Sequence, residues 1–322
     1  MDALSDVLKS IRLEGAVYLN AEFTAPWCVS ADFGSGKARA QLAGADQMLF
    51  FHYLVDGTCK VRTDGSPQPL TLQGGDLLLF LKPDRHLMGS NLELPPADSS
   101  GADAADALGA SLCEIRHGGG GEATHFVCGY LACSRSASRP LLDALPRMLR
   151  IPVGDSQAGA WIRELLQAGV SESVASRPGA NSMLAKLSEL LFVEAMRRYA
   201  QSLPPEDKGW LAGVRDAHVG RALALLHGDP ARAWTVDELA REVALSRSAL
   251  AERFVALVGD SPMQYLTRWR LALAAQTLRA NGSTVARVAE RSGYESEAAF
   301  CRAFKREFGV SPTAWRKAGA AA

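Results

Sequence analysis

The stretch TVDELAREVALSRSALAERFVALV, residues 235–258, decides the fold of the last third of the chain. Thr235 followed three residues later by Glu238 has the pattern of a capping box, so a helix is expected to begin here. Leu239, Ala240 and Val243 share one face of that helix, Ala-Leu-Ser makes a tight turn, and Ser246 is placed to cap a second helix. The second helix is expected to bury Leu250, Phe254 and Val258 and to turn Arg247, Ser248, Ala251, Glu252 and Val255 outward. Two short helices joined by a turn of roughly three or four residues form a helix-turn-helix, whose second helix fits the DNA major groove.

Downstream the pattern recurs. TVARVAERSGYESEAAFCRAFKREFGVSP (284–312) sets Val285, Val288 and Ala289 before the turn SGYES, then Phe300, Phe304 and Phe308 after it. Gly293 stands where the turn calls for a left-handed residue. Superposing Ala240 on Ala289 places Leu250 on Ala299 or Phe300 and Phe254 on Phe304, within one residue. One such hairpin is a weak signal, whereas two in tandem are a strong one. Between them PMQYLTRWRLALAAQTLRA (262–280) reads as a helix with proline at its first position. At about 1.5 Å per residue it spans roughly 28 Å, which suits readers placed in major-groove segments about 34 Å apart.

The charge distribution agrees with this reading. The 322 residues carry 35 Lys+Arg and 35 Asp+Glu, formally neutral, yet residues 216–322 hold 15 basic against 11 acidic residues and residues 262–322 hold 10 against 4. The acidic excess lies before residue 216, as expected when only one part of a chain meets an anionic polymer.

Upstream the period changes. From Gly15 to about Cys133, short apolar runs such as VYLNAEF, MLFFHYLV and DLLLFL alternate with turn clusters DGT, DGS and QGGD, the pattern of a small sandwich or barrel. PPADSSGADAADALGA (95–110) interrupts it and is expected to be a mobile loop. After Pro140 the spacing is helical, notably in AWIRELLQAGV (160–170) and SMLAKLSELLFVEAMRRYA (182–200), and SLPPEDKG (202–209) breaks it. Further helices are expected at 210–227, 235–243, 247–258, 262–280, 284–291 and 296–308. No apolar run reaches the roughly 18 residues of a membrane span, and MDALSDVLKSIRLEG has mixed charge without a signal-peptide core, so a cytoplasmic protein is expected. The six cysteines are too few and too scattered for a disulfide scaffold.

SPMQYLTRWRLALAAQTL, together with G-Y-x-S-x-x-x-F-x-R-x-F-K-R-x-F-G-x-S-P-x-x-x-R over 293–316, resembles the DNA-binding region of the AraC/XylS family of bacterial transcription regulators. PWCV, FHYLVDGTCKV, GGDLLLFLKPDRHLM, HFVCGYLACSR and LLDALPRMLRI resemble the cupin-type sensor of one branch of that family. The resemblance implies base-reading positions at Arg247, Ser248, Ala251 and Glu252, and at Glu297, Ala298, Cys301 and Arg302, with Ser296 beside them. Arg302 suits a guanine, because guanidinium matches O6 and N7 bidentately. Lys305, Arg306, Arg316, Lys317, Arg268 and Arg270 are phosphate-contact or solvated positions.

The sensor carries fewer signals. A cupin mouth can hold a metal or a small ligand, but of the usual H-x-H pair only His52 is present, with His86 later. His125 and Cys128 are the residues that would complete a metal site, if there is one. Trp27, Phe50, His52, Phe80 and His86, with Tyr53 and Phe126 nearby in sequence pattern, are candidate lining residues for an effector and equally ordinary core. Leu184, Leu187 and Leu191 form a face wide enough for both barrel packing and dimerisation. Cys128 and Cys133, at an odd offset on one strand, point to opposite faces, which argues against a bond between them.

The expected fold class is therefore α+β: an N-terminal cupin-like β-barrel with flanking helices (1–135), a helical dimerisation or support region (136–205), and an all-α domain (209–322) of two helix-turn-helix units, about 235–258 and 284–308, joined by a linker helix. The expected function is a sequence-specific transcription regulator, not an enzyme and without a cofactor, that answers to a small effector. A thiol-based redox regulator is the alternative, and a cupin metalloenzyme with a DNA-binding tail the second. The partners expected are promoter DNA, a second copy of the chain, the effector, and RNA polymerase for an activator; no membrane is expected.

Overall fold

The computed structural model describes residues 2–11, 13–31, 47–64, 66–82, 84–98, 112–133, 135–204, 206–279 and 283–320; most of the 95–110 stretch lies outside them. The chain divides into two compact units. One comprises Leu13–Cys133 and Leu145–Gln201, the other Met1–Arg12, Ser134–Ala144 and Ser202–Ala322.

The first unit is built on strands β1 (Glu14–Thr24), β2 (Cys28–Ala31), β3 (Gln47–Asp56), β4 (Thr58–Thr63), β5 (Ser66–Gln73), β6 (Asp76–Phe80), β7 (His86–Gly89), β8 (Ala97–Asp98), β9 (Cys113–Gly118), β10 (Ala123–Cys133) and β11 (Met148–Pro152). They form a six-stranded sheet in the order β11-β6-β3-β10-β1-β9 and a five-stranded sheet in the order β5-β4-β7-β2-β8. Alternate residues from both sheets meet in one core: Phe50, Leu78 and Phe126 from the larger, Val29, Val61 and Met88 from the smaller. The opposite face of the central strands is buried too, through Phe51, Tyr53, Leu77 and Leu79. That explains why β3 and β6 read as unbroken apolar runs rather than alternating ones. Two helices complete the unit, here α3 (Gln157–Val174) and α4 (Ala180–Ser202). Ser156 caps the first of them by accepting from the Gly159 N–H at 2.9 Å.

The second unit is helical: α1 (Ala3–Ser10), α2 (Arg135–Leu142), α5 (Trp210–Arg215), α6 (Ala217–Gly228), α7 (Val236–Glu242), α8 (Arg247–Val258), α9 (Pro262–Arg279), α10 (Val285–Arg291), α11 (Glu297–Phe308) and α12 (Pro312–Ala320). The single helix expected at 210–227 is broken at Asp216, whose extended backbone and carboxylate cap α6 through the His218 and Val219 N–H groups. Helix α12 has no counterpart among the helices expected from sequence.

The expected domain boundaries also differ from this division. Helices α1 and α2 flank the sheet in sequence, yet both cluster with the C-terminal helices. The reason is burial: α1 is too short to stand alone, and it hides Ala3, Leu4 and Val7 where α6 and α2 lie. The Gln276 side chain of α9 donates to the Ser10 carbonyl at 2.7 Å. Helix α2 packs on α9 and sends Arg139 to Glu307 of α11 at 3.1 Å. Among the described residues no helix is long and apolar enough to cross a membrane.

Candidate nucleic-acid interface

Both predicted readers form, and their registers coincide. The Thr235–Glu238 capping box is present in full at the start of α7. Ser246 caps α8 and Ser296 caps α11, each accepting from the N–H three residues on at 3.2 Å. Both second helices have 12 residues and end at a left-handed glycine, Gly259 and Gly309. Leu250 therefore answers to Phe300, and Phe254 to Phe304; all four are fully buried. Val258 and Phe308, expected in the core, are only half-buried. The correspondence runs on into Ser261-Pro262 and Ser311-Pro312, which begin α9 and α12. This repeated dipeptide was the available signal for the helix that the periodicity missed. The first helices, α7 and α10, are offset by one residue less than the second, because the second turn is one residue longer.

The exposed faces carry the expected residues. Arg247, Ser248 and Glu252 of α8, and Glu297, Ala298, Arg302, Lys305 and Arg306 of α11, are exposed with the capping Ser296, while Ala251 and Cys301 are half-buried. Their electrostatics diverge. In the first unit Arg247 lies 3.4 Å from Asp237, and Arg253 donates through Nε to Asp216 at 2.9 Å. The Arg253 hydrogen bond helps to hold the Asp216 carboxyl below the usual carboxylate range against the opposing effect of its burial. In the second, Arg302, Lys305 and Arg306 make no salt bridge among the described residues. At the positions of Arg302, Lys305 and Arg306 the first reader has Glu252, Val255 and Ala256.

Three other cations grouped with the phosphate contacts are tied into the fold. Arg270 donates to the Pro230 and Arg232 carbonyls at 2.5 and 2.8 Å, Arg316 to the Ser283 carbonyl at 3.3 Å, and Arg268 to Asp260 at 2.5 Å. Lys317 is exposed. Half-buried Arg270 is a strut for the 229–235 connection rather than a solvated charge.

In the sheet unit the candidate sensor residues separate. Cys128 and His52 are register partners across β10 and β3. His52 Nδ1 lies 2.9 Å from Cys128 Sγ, its Nε2 lies 2.9 Å from His86 Nε2, and His86 Nδ1 lies 3.0 Å from the Asp84 carbonyl oxygen. A carbonyl can only accept, so His86 Nδ1 carries a proton and donates it. With both rings neutral, His86 Nε2 accepts from His52 Nε2–H, and His52 Nδ1 accepts from the Cys128 thiol. Burial drives His52 well below its ordinary pKa and drives the Cys128 thiol far up, both in favour of this uncharged chain. Phe80 stacks on His86 with centroids 4.3 Å apart, Trp27 stacks on Phe23 at 4.4 Å, and Phe50 shares the same core. His125 does not join them: it is half-buried and lies 2.5 Å from Asp56 and 3.6 Å from Glu22. Of the four residues named for a metal site, His52, His86 and Cys128 are thus joined in one hydrogen-bonded chain and His125 stands apart. Among the described residues no group of three or more His, Cys, Asp or Glu side chains converges on one point.

The thiols are equally quiet. None of the six cysteines, all among the described residues, is in a disulfide, and burial raises Cys28 and pushes Cys59 up to about 12, far from the thiolate that redox chemistry requires. Leu184, Leu187 and Leu191, expected to serve a dimer face, are buried inside their own unit. The large apolar residues left exposed there are Trp161, Leu165, Val174 and Leu190, of which Trp161 is 58% exposed.

Comparison with known proteins agrees with both halves. The profile of a cupin family matches residues 2–201, and that of a helix-turn-helix domain matches residues 239–318. A putative AraC-like transcription regulator of Streptomyces antibioticus is 35% identical, with 98% of this chain and 99% of that protein covered. The transcriptional regulator AlkR of Acinetobacter baylyi is 28% identical over 98% of this chain and 99% of its own length. Among solved structures, the DNA-binding domain of AdpA in complex with a target DNA is 31% identical, covering 33% of this chain and 95% of that one, at a TM-score of 0.32.

Proposed function

The chain belongs to the AraC-like transcription regulators, DNA-binding proteins with a cupin-like N-terminal domain, and from that premise we propose how its two readers divide the work. Helix α11 makes the base contact that dominates specificity, through Arg302 on a guanine, while Lys305 and Arg306 hold phosphates. Ser296, Glu297, Ala298 and Cys301 line the same approach. Helix α8 adds a weaker reading through Arg247, Ser248, Ala251 and Glu252, with Val255 (45% exposed) offered to a thymine methyl.

The observation that carries this division is electrostatic. The second reader's cations are not neutralised by neighbouring carboxylates, whereas the first reader's arginines are held by Asp237 and Asp216. The protein acts as a homodimer, and the supporting feature is the exposed pair Trp161 and Leu165, one turn apart on α3, in place of the buried leucines of α4. The sheet core around Trp27, Phe50, His52, Phe80 and His86 receives a small apolar effector. The regulator works in the cytoplasm on promoter DNA, and RNA polymerase is its partner where it activates.

Promoter binding by Arg302→Ala and Lys305→Ala across salt concentrations tests the assignment. Loss of Arg302 is expected to cost about 1–3 kcal/mol at one base pair only. Loss of Lys305 is expected to weaken all sequences alike and to lower the salt slope by about one. Two variants that bind like the parent would show that α11 is not the reader.

A further inference from the structure

The helical unit contains a cavity of about 250 Å³ that DNA reading does not use. Four rings form its floor: Trp210 of α5, Tyr265 and Trp269 of α9, and Phe308 at the end of α11. The polar atoms behind this floor serve one another. Trp210 Nε1 donates to the Tyr265 hydroxyl at 2.9 Å, and that hydroxyl lies 2.8 Å from His227 Nε2. Trp269 Nε1 is buried and without a hydrogen-bond partner among the described residues, a donor that costs free energy to leave unmet.

The charges lining the cavity are unequal. Arg139 reaches Asp143 and Glu307, each at 3.1 Å, and Arg268 reaches Asp260 at 2.5 Å and Glu307 at 4.0 Å. Three carboxylates therefore share two guanidinium groups, and one negative charge is left over beside an aromatic floor. A carboxylate ligand would have to displace Glu307 from Arg139. An ammonium ligand displaces nothing: it takes the surplus charge and faces rings that favour cations. The volume lies just under the roughly 300–1,000 Å³ of ordinary ligand sites, which limits the occupant to about one ring and a short chain.

We propose that this cavity is a small-molecule site for a primary amine carried on a single aromatic ring. Its walls give such a ligand leverage. Val258 ends the first reader and Asp260 follows it, Glu307 and Phe308 close the second, and α9 joins the two. An occupant touches the ends of both reading helices at once. This regulatory consequence rests on the DNA-binding reading, but binding itself does not, so a titration without DNA tests the site separately.

The experiment is calorimetric titration of the full chain with tyramine and with 3-(4-hydroxyphenyl)propanoate, matched in ring and length but opposite in charge. Tyramine is expected to bind saturably, one per chain, at least tenfold more tightly than the acid. Glu307→Gln is expected to weaken tyramine at least tenfold. Ala272→Leu, which fills the cavity from α9, is expected to abolish binding; thermal melting checks the fold of both variants, and Glu307→Gln decides if the larger side chain is not tolerated. Absence of saturable tyramine binding, equal or tighter binding of the acid, or a Glu307→Gln affinity equal to the parent's would overturn the proposal. With DNA added, any change in DNA affinity caused by tyramine must be mirrored by an equal change in tyramine affinity.

Discussion

The two helix-turn-helix units share one scaffold and differ in almost everything they show to solvent. Their second helices have the same length, the same serine cap and the same glycine end, with four buried side chains in matching places. At the three positions where the second offers Arg302, Lys305 and Arg306, the first offers Glu252, Val255 and Ala256. The two units thus bury side chains at matching positions, Leu250 with Phe300 and Phe254 with Phe304, while their exposed positions differ in charge.

The largest effects test the shared interior. Phe254→Ala and Phe304→Ala are each expected to cost about 3–5 kcal/mol, measured by urea unfolding, because both rings are fully buried. A large cost in one unit and none in the other would break the equivalence.

Next comes an asymmetry within the scaffold. His227 stacks on Trp269 at 4.3 Å beside the first unit, and burial lowers its pKa from 6.5 to about 4. A depressed histidine is neutral when folded, so its stabilising contribution is complete above pH 6.5 and is lost as the pH falls toward 4. The loss amounts to roughly 3 kcal/mol over that window. Unfolding measured from pH 7 to 4.5 is expected to show this decline, and His227→Gln to flatten it; a parent curve that is level over this range would remove the claim.

The exposed faces come third. Moving charge between readers, as Glu252→Arg, is expected to raise affinity for all sequences and steepen the salt dependence by about one phosphate's worth. An unchanged slope in a filter-binding series would mean that α8 does not approach the backbone.

The smallest effects lie in the turns. Ala244 and Gly293 follow the first helix of each unit with φ of 55° and 74°. Ala244→Gly is expected to stabilise by about 0.5–1 kcal/mol by relieving a left-handed alanine. Gly293→Ala is expected to destabilise, since its Cβ would stand 2.6 Å from the Ala231 carbonyl oxygen. Thermal melting that moved both in the same direction would contradict the matched turns.

The readers were legible because capping, periodicity and turn chemistry are local, and local signals survive in a linear string. Thr235 with Glu238, Ser246 and Gly293 each announced a boundary that the structure keeps. What escaped depends on distant partners. Nothing near Arg253 in sequence points to Asp216, and nothing near α1 or α2 shows that their apolar faces are covered by α6 and α9. In the sheet unit, the pairing of His52 with Cys128 is a matter of strand register. The exclusion of His125 was half-visible, because residues 125 and 128 are an odd number apart and a register shift at His125/Phe126 adds to the separation. The burial of Leu184, Leu187 and Leu191 escaped for a related reason. Helix α4 is apolar on the side that its own unit buries, so the width of its leucine face said nothing about a partner.

The central claim is that two readers on one 18-residue linker helix, about 27 Å long, address adjacent turns of the same duplex. Its most direct test is the affinity of the purified chain for an operator in which about 5 base pairs, half a helical turn, are inserted between the two contacted elements. The account predicts a loss of at least a hundredfold that is not recovered when the insertion is extended to about 10 base pairs, because a helix of this length cannot span a further turn of about 34 Å. Equal affinity for the parent and the half-turn operator would contradict it.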